Sequence, residues 1–205
     1  MPSYEYEEAA HQNGYKIVAG TDEAGRGPLA GPVFAAAVIL PDGLYIDGLN
    51  DSKKLTEKKR EKLFDIICKE AVSYSIASAS VEEIDGMNIL NASQLAMRRA
   101  VDGLSVKPDF VLIDGNVSRG FTVDTLTIIK GDSLSMSVAA ASILAKVSRD
   151  RLCYELDKIY PEYGFAKHKG YGTAYHMEMI RKYGISPVHR RSFMSFLEKD
   201  SEKRS

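Results

Sequence analysis

Cysteine is scarce in this chain of 205 residues, with only Cys68 and Cys153. Neither belongs to a C-x-x-C pair or a Cys/His spacing, which argues against structural zinc and against a disulfide framework. Both fall inside apolar helical patterns and read as reduced core residues of a cytoplasmic protein. Long apolar runs are also missing: the stretch through Phe34 to Leu40 is the longest and cannot span a bilayer. The opening MPSYEYEEAAHQNGYK has neither the basic head nor the apolar middle of an export signal, so a soluble, non-exported chain with no membrane contact is expected. There is no internal repeat or low-complexity tract, and no excess of one charge: 27 Lys and Arg stand against 28 Asp and Glu. The charge is uneven along the chain, however. Residues 1 to 50 carry 2 basic and 7 acidic side chains, residues 146 to 191 carry 10 basic and 5 acidic. A basic cluster facing a carboxylate cluster suits a polyanion held through metal ions; two solvated faces of opposite sign account for the same counts.

The patterning predicts strands at Lys16 to Asp22 and Val33 to Leu40, followed by a turn at Pro41, Asp42 and Gly43. A helix is expected from Glu57 to Lys69, with Thr56 as its cap and Leu63, Phe64, Ile66 and Ile67 on its buried stripe. The six basic side chains between Lys53 and Lys62 are then left largely in solvent. Val72 to Ala79 alternates like a strand, Ser80 with Glu83 forms a capping box, and Asn88 opens a helix to about Val101. Asp109 to Ile113 and Thr125 to Ile129 are short apolar strands, and the longest helical pattern follows Asp132 until Pro161 and Gly164 stop it. The expected class is α/β: a mixed sheet flanked by helices over residues 1–160, with a small helical C-terminal subdomain over 161–205 and a frayed charged tail. A monomer is the default expectation.

Carboxylates mark the ends of three of these strands. Asp22 and Glu23 close the first, Asp114 closes VLIDGN, and Asp132 in KGDSLSMSV precedes the long helix. Singly, each is a turn former or a helix cap. Jointly, if the strands are neighbours, they converge on one patch and stay ionised together only around a cation. Oxygen donors without Cys or His point to Mg²⁺ or Mn²⁺, and two such ions about 4 Å apart can drive an in-line phosphodiester displacement. Asp150 lies too far along the helical pattern to join Asp132 and is read as a structural partner of Arg149, Arg151 or a neighbouring helix. Asp109, Asp124, Asp47 and Asp51 are assigned to turns. His168, His176 and His189 lack metal-ligand spacing and are expected at the surface or in loop packing.

The loop GRGPLAGP after the first acids lacks the G-K-[ST] ending of a phosphate cradle and leads into a strand, not a helix. Its glycines instead offer a bare backbone beside the acids, where a Cβ would keep a sugar or phosphate away. Together with DSKKL at Asp51 to Leu55, LIDGN, KGDS, AAASILAKVSRD, GFAKHKGYGT and HRRSF at His189 to Phe193, this loop makes the chain resemble ribonuclease HII, the type 2 ribonuclease H family. The resemblance runs from about residue 16 to 196. It implies a ribonuclease H-like sheet, with Asp22, Glu23, Asp114 and Asp132 as catalytic, metal-holding acids. It also implies that the backbone of Gly25, Arg26 and Gly27 contacts a ribose 2′-hydroxyl, that Tyr171 packs on the next deoxyribose, and that Ser52 and Lys53 contact phosphate. Lys54, Lys167, Lys169, Arg190 and Arg191 fit the same phosphate-tracking role, although a solvated surface position is each one's individual expectation. The implied substrate is an RNA–DNA hybrid, or duplex DNA containing ribonucleotides, cut on the 5′ side of the ribose to leave 3′-hydroxyl and 5′-phosphate ends. The type 3 relatives carry G-K-G at this loop and an extra N-terminal domain; the chain has Arg26, and fewer than twenty residues precede its first strand. Another metal-dependent nuclease on the same fold, or a catalytically silent hybrid-binding protein, are the alternatives, and the second is expected to have lost an acid.

Overall fold

In the computed structural model, residues 1–197 are described, and the charged tail expected to fray lies almost wholly outside them. Five strands form one sheet: β1 (Val18–Ala24), β2 (Val33–Ile39), β3 (Ser73–Ala79), β4 (Phe110–Asp114) and β5 (Asp124–Ile128). Their order is β3-β2-β1-β4-β5, with β1–β2 and β2–β3 antiparallel and β1–β4 and β4–β5 parallel. The first strand therefore lies at the centre, two residues later at each end than its sequence pattern suggested. Seven helices accompany the sheet among the described residues: α1 (Glu5–Gln12), α2 (Glu57–Glu70), α3 (Val81–Met87), α4 (Ile89–Asp102), α5 (Met136–Ile159), α6 (Phe165–His168) and α7 (Ala174–Tyr183). No helix among them is long and apolar enough to cross a membrane.

The strand β2 explains the layering. Successive side chains point to opposite faces, so Ala35, Ala37 and Ile39 pack with Ala92, Ala96 and Met97 of α4, while Ala36 and Val38 pack with Ala140, Ile143 and Leu144 of α5. Both faces are covered, and the strand is apolar without alternation. Small side chains bring α5 very close to the sheet: a Cβ on Gly20 of β1 would lie 2.3 Å from the backbone of Ser137 and Val138. The caps follow the pattern in part. Thr56 caps α2, and Ser80 with Glu83 forms the expected box at α3. Ser135, and not Asp132, caps α5, because a 3-10 turn at Gly131–Ser133 intervenes.

Some expectations fail. Ile66 is exposed, since the α2 stripe narrows to Leu63 and Ile67 with Phe64 half-buried. Arg60 is not a solvated charge: it bonds the carbonyls of Ser52 and Leu55 and reaches Asp150. Asp124 begins β5 instead of sitting in a turn. The helix α1 had no strong periodic signal, and what holds it is tertiary: Glu7 is buried and accepts from Ser135 Oγ at 2.7 Å, Ser137 N–H at 2.9 Å and Ser137 Oγ at 2.6 Å, a carboxylate seated at the positive end of α5.

Beyond α5 the chain builds a separate apolar cluster from Ala30, Leu156, Tyr163, Phe165, Ile180 and Met194, with no strand among the described residues after β5. Of its histidines, His176 and His189 are buried and His168 is half-buried, so the loop-packing reading holds and the surface one does not. The Nδ1–H of His176 donates to the Tyr171 carbonyl at 2.9 Å, which leaves its Nε2 to accept from His189 Nε2–H at 3.1 Å. The remaining Nδ1 of His189 then accepts the Ser186 N–H at 2.9 Å. Every partner is satisfied only with both rings neutral.

Two outcomes are expected. Gly20→Ala forces a methyl group against the α5 backbone and should cost on the order of 1–3 kcal/mol in urea unfolding; a neutral result would mean that β1 and α5 are not in this close contact. Burial first, with His176 lowering its neighbour further, pushes both His176 and His189 down from 6.5 to about 4. The unfolded chain binds the extra protons, so this contribution to stability is fully present above 6.5 and is lost as pH falls towards 4. The stability lost in the His176→Gln/His189→Gln double variant should thus be larger at pH 7 than at pH 5.

Candidate active site

The register of the two central parallel strands creates the site. Gly20 pairs with Leu112 and Thr21 with Ile113, so one step on, at the carboxyl ends, Asp22 and Asp114 fall side by side. They share the face that Gly20 turns to α5. The 3-10 turn after β5 then brings in Asp132, whose N–H donates to Asp114 Oδ1 at 3.4 Å. Asp22, Asp114 and Asp132 each offer a carboxylate oxygen, and these oxygens all lie within 4.8 Å of one another. Glu23 points off the other side of β1, next to this trio and outside it, with Arg26 at 3.3 Å.

Such crowding shows in the acidities. Burial pushes Asp22 well above the usual carboxylate range, and the charges of Glu23 and Asp114 push the same way, against a hydrogen bond from the Ser142 hydroxyl. Burial also raises Asp132, helped by Asp114 and Asp51 and opposed by Lys53. Glu23 is raised by burial, with Arg26 holding it back. Among the described residues two cations reach the four acids: Arg26 at Glu23, and Lys53, whose ammonium is 3.4 Å from Asp132. Partial burial works against the Lys53 charge, but Asp132, Asp22 and Asp51 outweigh it and raise its pKa. The remaining charge deficit and the all-oxygen donor set fit a hard divalent cation, which Asp22, Asp114 and Asp132 could hold.

The other expected residues surround this patch. Gly25 adopts φ +102°, a conformation that favours glycine, and a Cβ there would strike Arg149. The ring of Tyr171 is 47% exposed and lies 3.4 Å from where a Gly27 Cβ would stand, so ring and bare backbone form adjoining walls. Ser52 is buried, its hydroxyl 2.9 Å from that of Ser142, while Lys53 reaches the acids. Asp150 pairs with Lys146 at 2.7 Å and with Arg60 at 3.5 Å on the neighbouring helix, as a structural reading required, though not with Arg149 or Arg151. Sequence reasoning missed Ser142 and Asp51. Ser142 sits in a run of small helical residues with nothing to distinguish it, and Asp51 looked like a turn residue, which it also is, accepting from Lys53 N–H at 2.9 Å.

The ribonuclease HII family model matches residues 19–196. The chain belongs to the ribonuclease HII family. It is 62% identical over 181 residues to a ribonuclease HII of Desulfitobacterium hafniense (strain DSM 10664 / DCB-2), covering 88% of this chain and 70% of that one. Among solved structures it resembles the ribonuclease H2 of Pyrococcus horikoshii OT3, with TM-score 0.75 and 29% identity over 93% of this chain and all of that one. The fold is also that of Bst-RNase HIII, solved in complex with Mn²⁺, at TM-score 0.68 and 22% identity over 86% of this chain and 65% of that one. The expected ribonuclease H-like mixed sheet is thereby borne out. As a ribonuclease HII the chain is a phosphodiester hydrolase, dependent on divalent metal and acting on the RNA strand of RNA–DNA hybrids.

Removing one carboxylate should separate repulsion from metal holding. Asp22→Asn is expected to raise the metal-free melting temperature, by about 2–4 °C for each kcal/mol of relieved repulsion, and to shrink the further rise on adding Mg²⁺ or Mn²⁺. An unchanged metal-induced rise would remove Asp22 from the ion site.

Proposed function

We propose that the chain cuts the RNA strand of RNA–DNA hybrids and the 5′ side of ribonucleotides embedded in duplex DNA, leaving 3′-hydroxyl and 5′-phosphate ends. The observation that carries this reading is the juxtaposition of three carboxylates within 4.8 Å with a bare glycine backbone and an exposed tyrosine ring. Asp22, Asp114 and Asp132 hold the metal, with Glu23 completing the set of catalytic acids. The metal is Mg²⁺ or Mn²⁺, two ions during catalysis, a choice supported by the oxygen donors and by the Mn²⁺ in the fold relative. Bound there, divalent ions supply an activated water and neutralise the leaving oxygen.

The chain's own groups do the rest. Asp22, buried and hydrogen-bonded by Ser142 and by the Glu23 N–H at 2.7 Å, is fixed in orientation before any substrate arrives. Lys53 places a positive charge beside Asp132 where a phosphate approaches, with Ser52 packed behind it to set the turn. Only a 2′-hydroxyl distinguishes ribose from deoxyribose, and the fixed main chain of Gly25, Arg26 and Gly27 measures it. The Tyr171 ring then stacks on the following sugar and rejects an added hydroxyl there, which makes the site a reader of RNA-to-DNA junctions. The residues after about 160 serve as an extension that carries Tyr171, and a monomer working in the cytoplasm completes the proposal.

Duplex DNA with one embedded ribonucleotide, compared with the all-DNA duplex, tests this. Cleavage of the first alone, 5′ to the ribose with the stated ends, is expected, and Asp132→Asn should bind that duplex while losing nearly all turnover. Equal cutting of both duplexes would replace the reading with a general metal-dependent nuclease.

A further inference from the structure

Arg190 was expected at the surface and is fully buried. Its guanidinium donates to three carbonyls and to no acid: Gly25 at 2.6 Å, Arg26 at 2.9 Å and Gly31 at 2.8 Å. Its own N–H closes on the Leu29 carbonyl at 2.8 Å. Beside it Arg149, 2% exposed, donates to the carbonyls of Lys169 at 3.0 Å and Ala30 at 3.2 Å. Among the described residues no ion pair includes either arginine. Burial, then the Arg149 charge, pushes Arg190 down to about 9. A buried charge without a counterion is costly, so a merely structural contact is better served by an apolar side chain.

What the cost secures is the orientation of the loop. With the carbonyls of Gly25 and Arg26 bonded inwards, the N–H groups of Arg26 and Gly27, which have no partner among the described residues, are the polar edge left for a ligand. The preceding residue, His189, works on the opposite wall: through His176 it holds the carbonyl of Tyr171. One dipeptide thus reaches both sides of the slot between Gly27 and the Tyr171 ring.

We propose that Arg190 is a positioning residue for ribose selection, holding the Gly25 and Arg26 carbonyls inwards so that the loop offers amide donors at a fixed separation from Tyr171. The inference rests on the ribonucleotide-cleaving function proposed above. Its test is binding, measured by fluorescence anisotropy in the non-cleaving Asp132→Asn protein, to a DNA duplex with one ribonucleotide and to the same duplex without it. Arg190→Lys keeps the charge and loses the three-way geometry, and Arg190→Gln loses the charge; folding of each is checked by circular dichroism. In at least one folded variant the preference for the ribonucleotide should fall about tenfold, the equivalent of one hydrogen bond to the sugar, while affinity for the all-deoxy duplex stays within about twofold. An unchanged preference, an equal loss on both duplexes, or failure of both variants to fold would each overturn the proposal. If the parent protein itself shows no preference, the proposed function fails first, independently of Arg190.

Discussion

Mutual repulsion among carboxylates governs this molecule. Two parallel strands in register deliver Asp22 and Asp114 to the same edge, and the turn before α5 adds Asp132. In water such groups would separate; here the sheet ladder, the turn and the α5 face do not let them. The arrangement is tolerable only because the surrounding fold over-determines it, and it leaves an unfilled demand for positive charge that Lys53 and Arg26 meet in part. Affinity for a divalent cation follows from that demand.

Close packing of α5 on β1 supplies the rigidity. Gly20 and the small residues of α5 allow contact that leaves no room for a methyl group, and the carboxylate of Glu7 satisfies the first turn of α5 from behind. The same helix presents Ser142 to Asp22 and, further along, Arg149 to the glycine loop. A single 24-residue helix therefore spans from the acids to the C-terminal cluster, so that proposed chemistry and proposed sugar recognition share one rigid support.

The C-terminal segment completes the molecule through polar groups buried without charge pairing. His176 and Arg190, with Arg149 of α5, donate to main-chain carbonyls, a pattern that fixes backbone direction more sharply than apolar contact does. Apolar packing of Tyr163, Phe165 and Ile180 holds the segment in place, while the polar network decides what it presents.

By itself the sequence determined the local features: strand and helix types, the capping residues Thr56 and Ser80, and the candidacy of Asp22, Glu23, Asp114 and Asp132. These follow from nearest-neighbour periodicity and side-chain chemistry, which a linear chain carries in full. Helix α1 escaped because its stability comes from Glu7 meeting serines far along the chain. Arg190 was expected at the surface, and His176 and His189 were left between surface and loop packing, because a polar residue's burial depends on partners contributed by other segments, which no local pattern encodes. Only the tertiary structure decided that three acids meet and that Glu23 stands aside with Arg26, since strand order and register are set by long-range pairing.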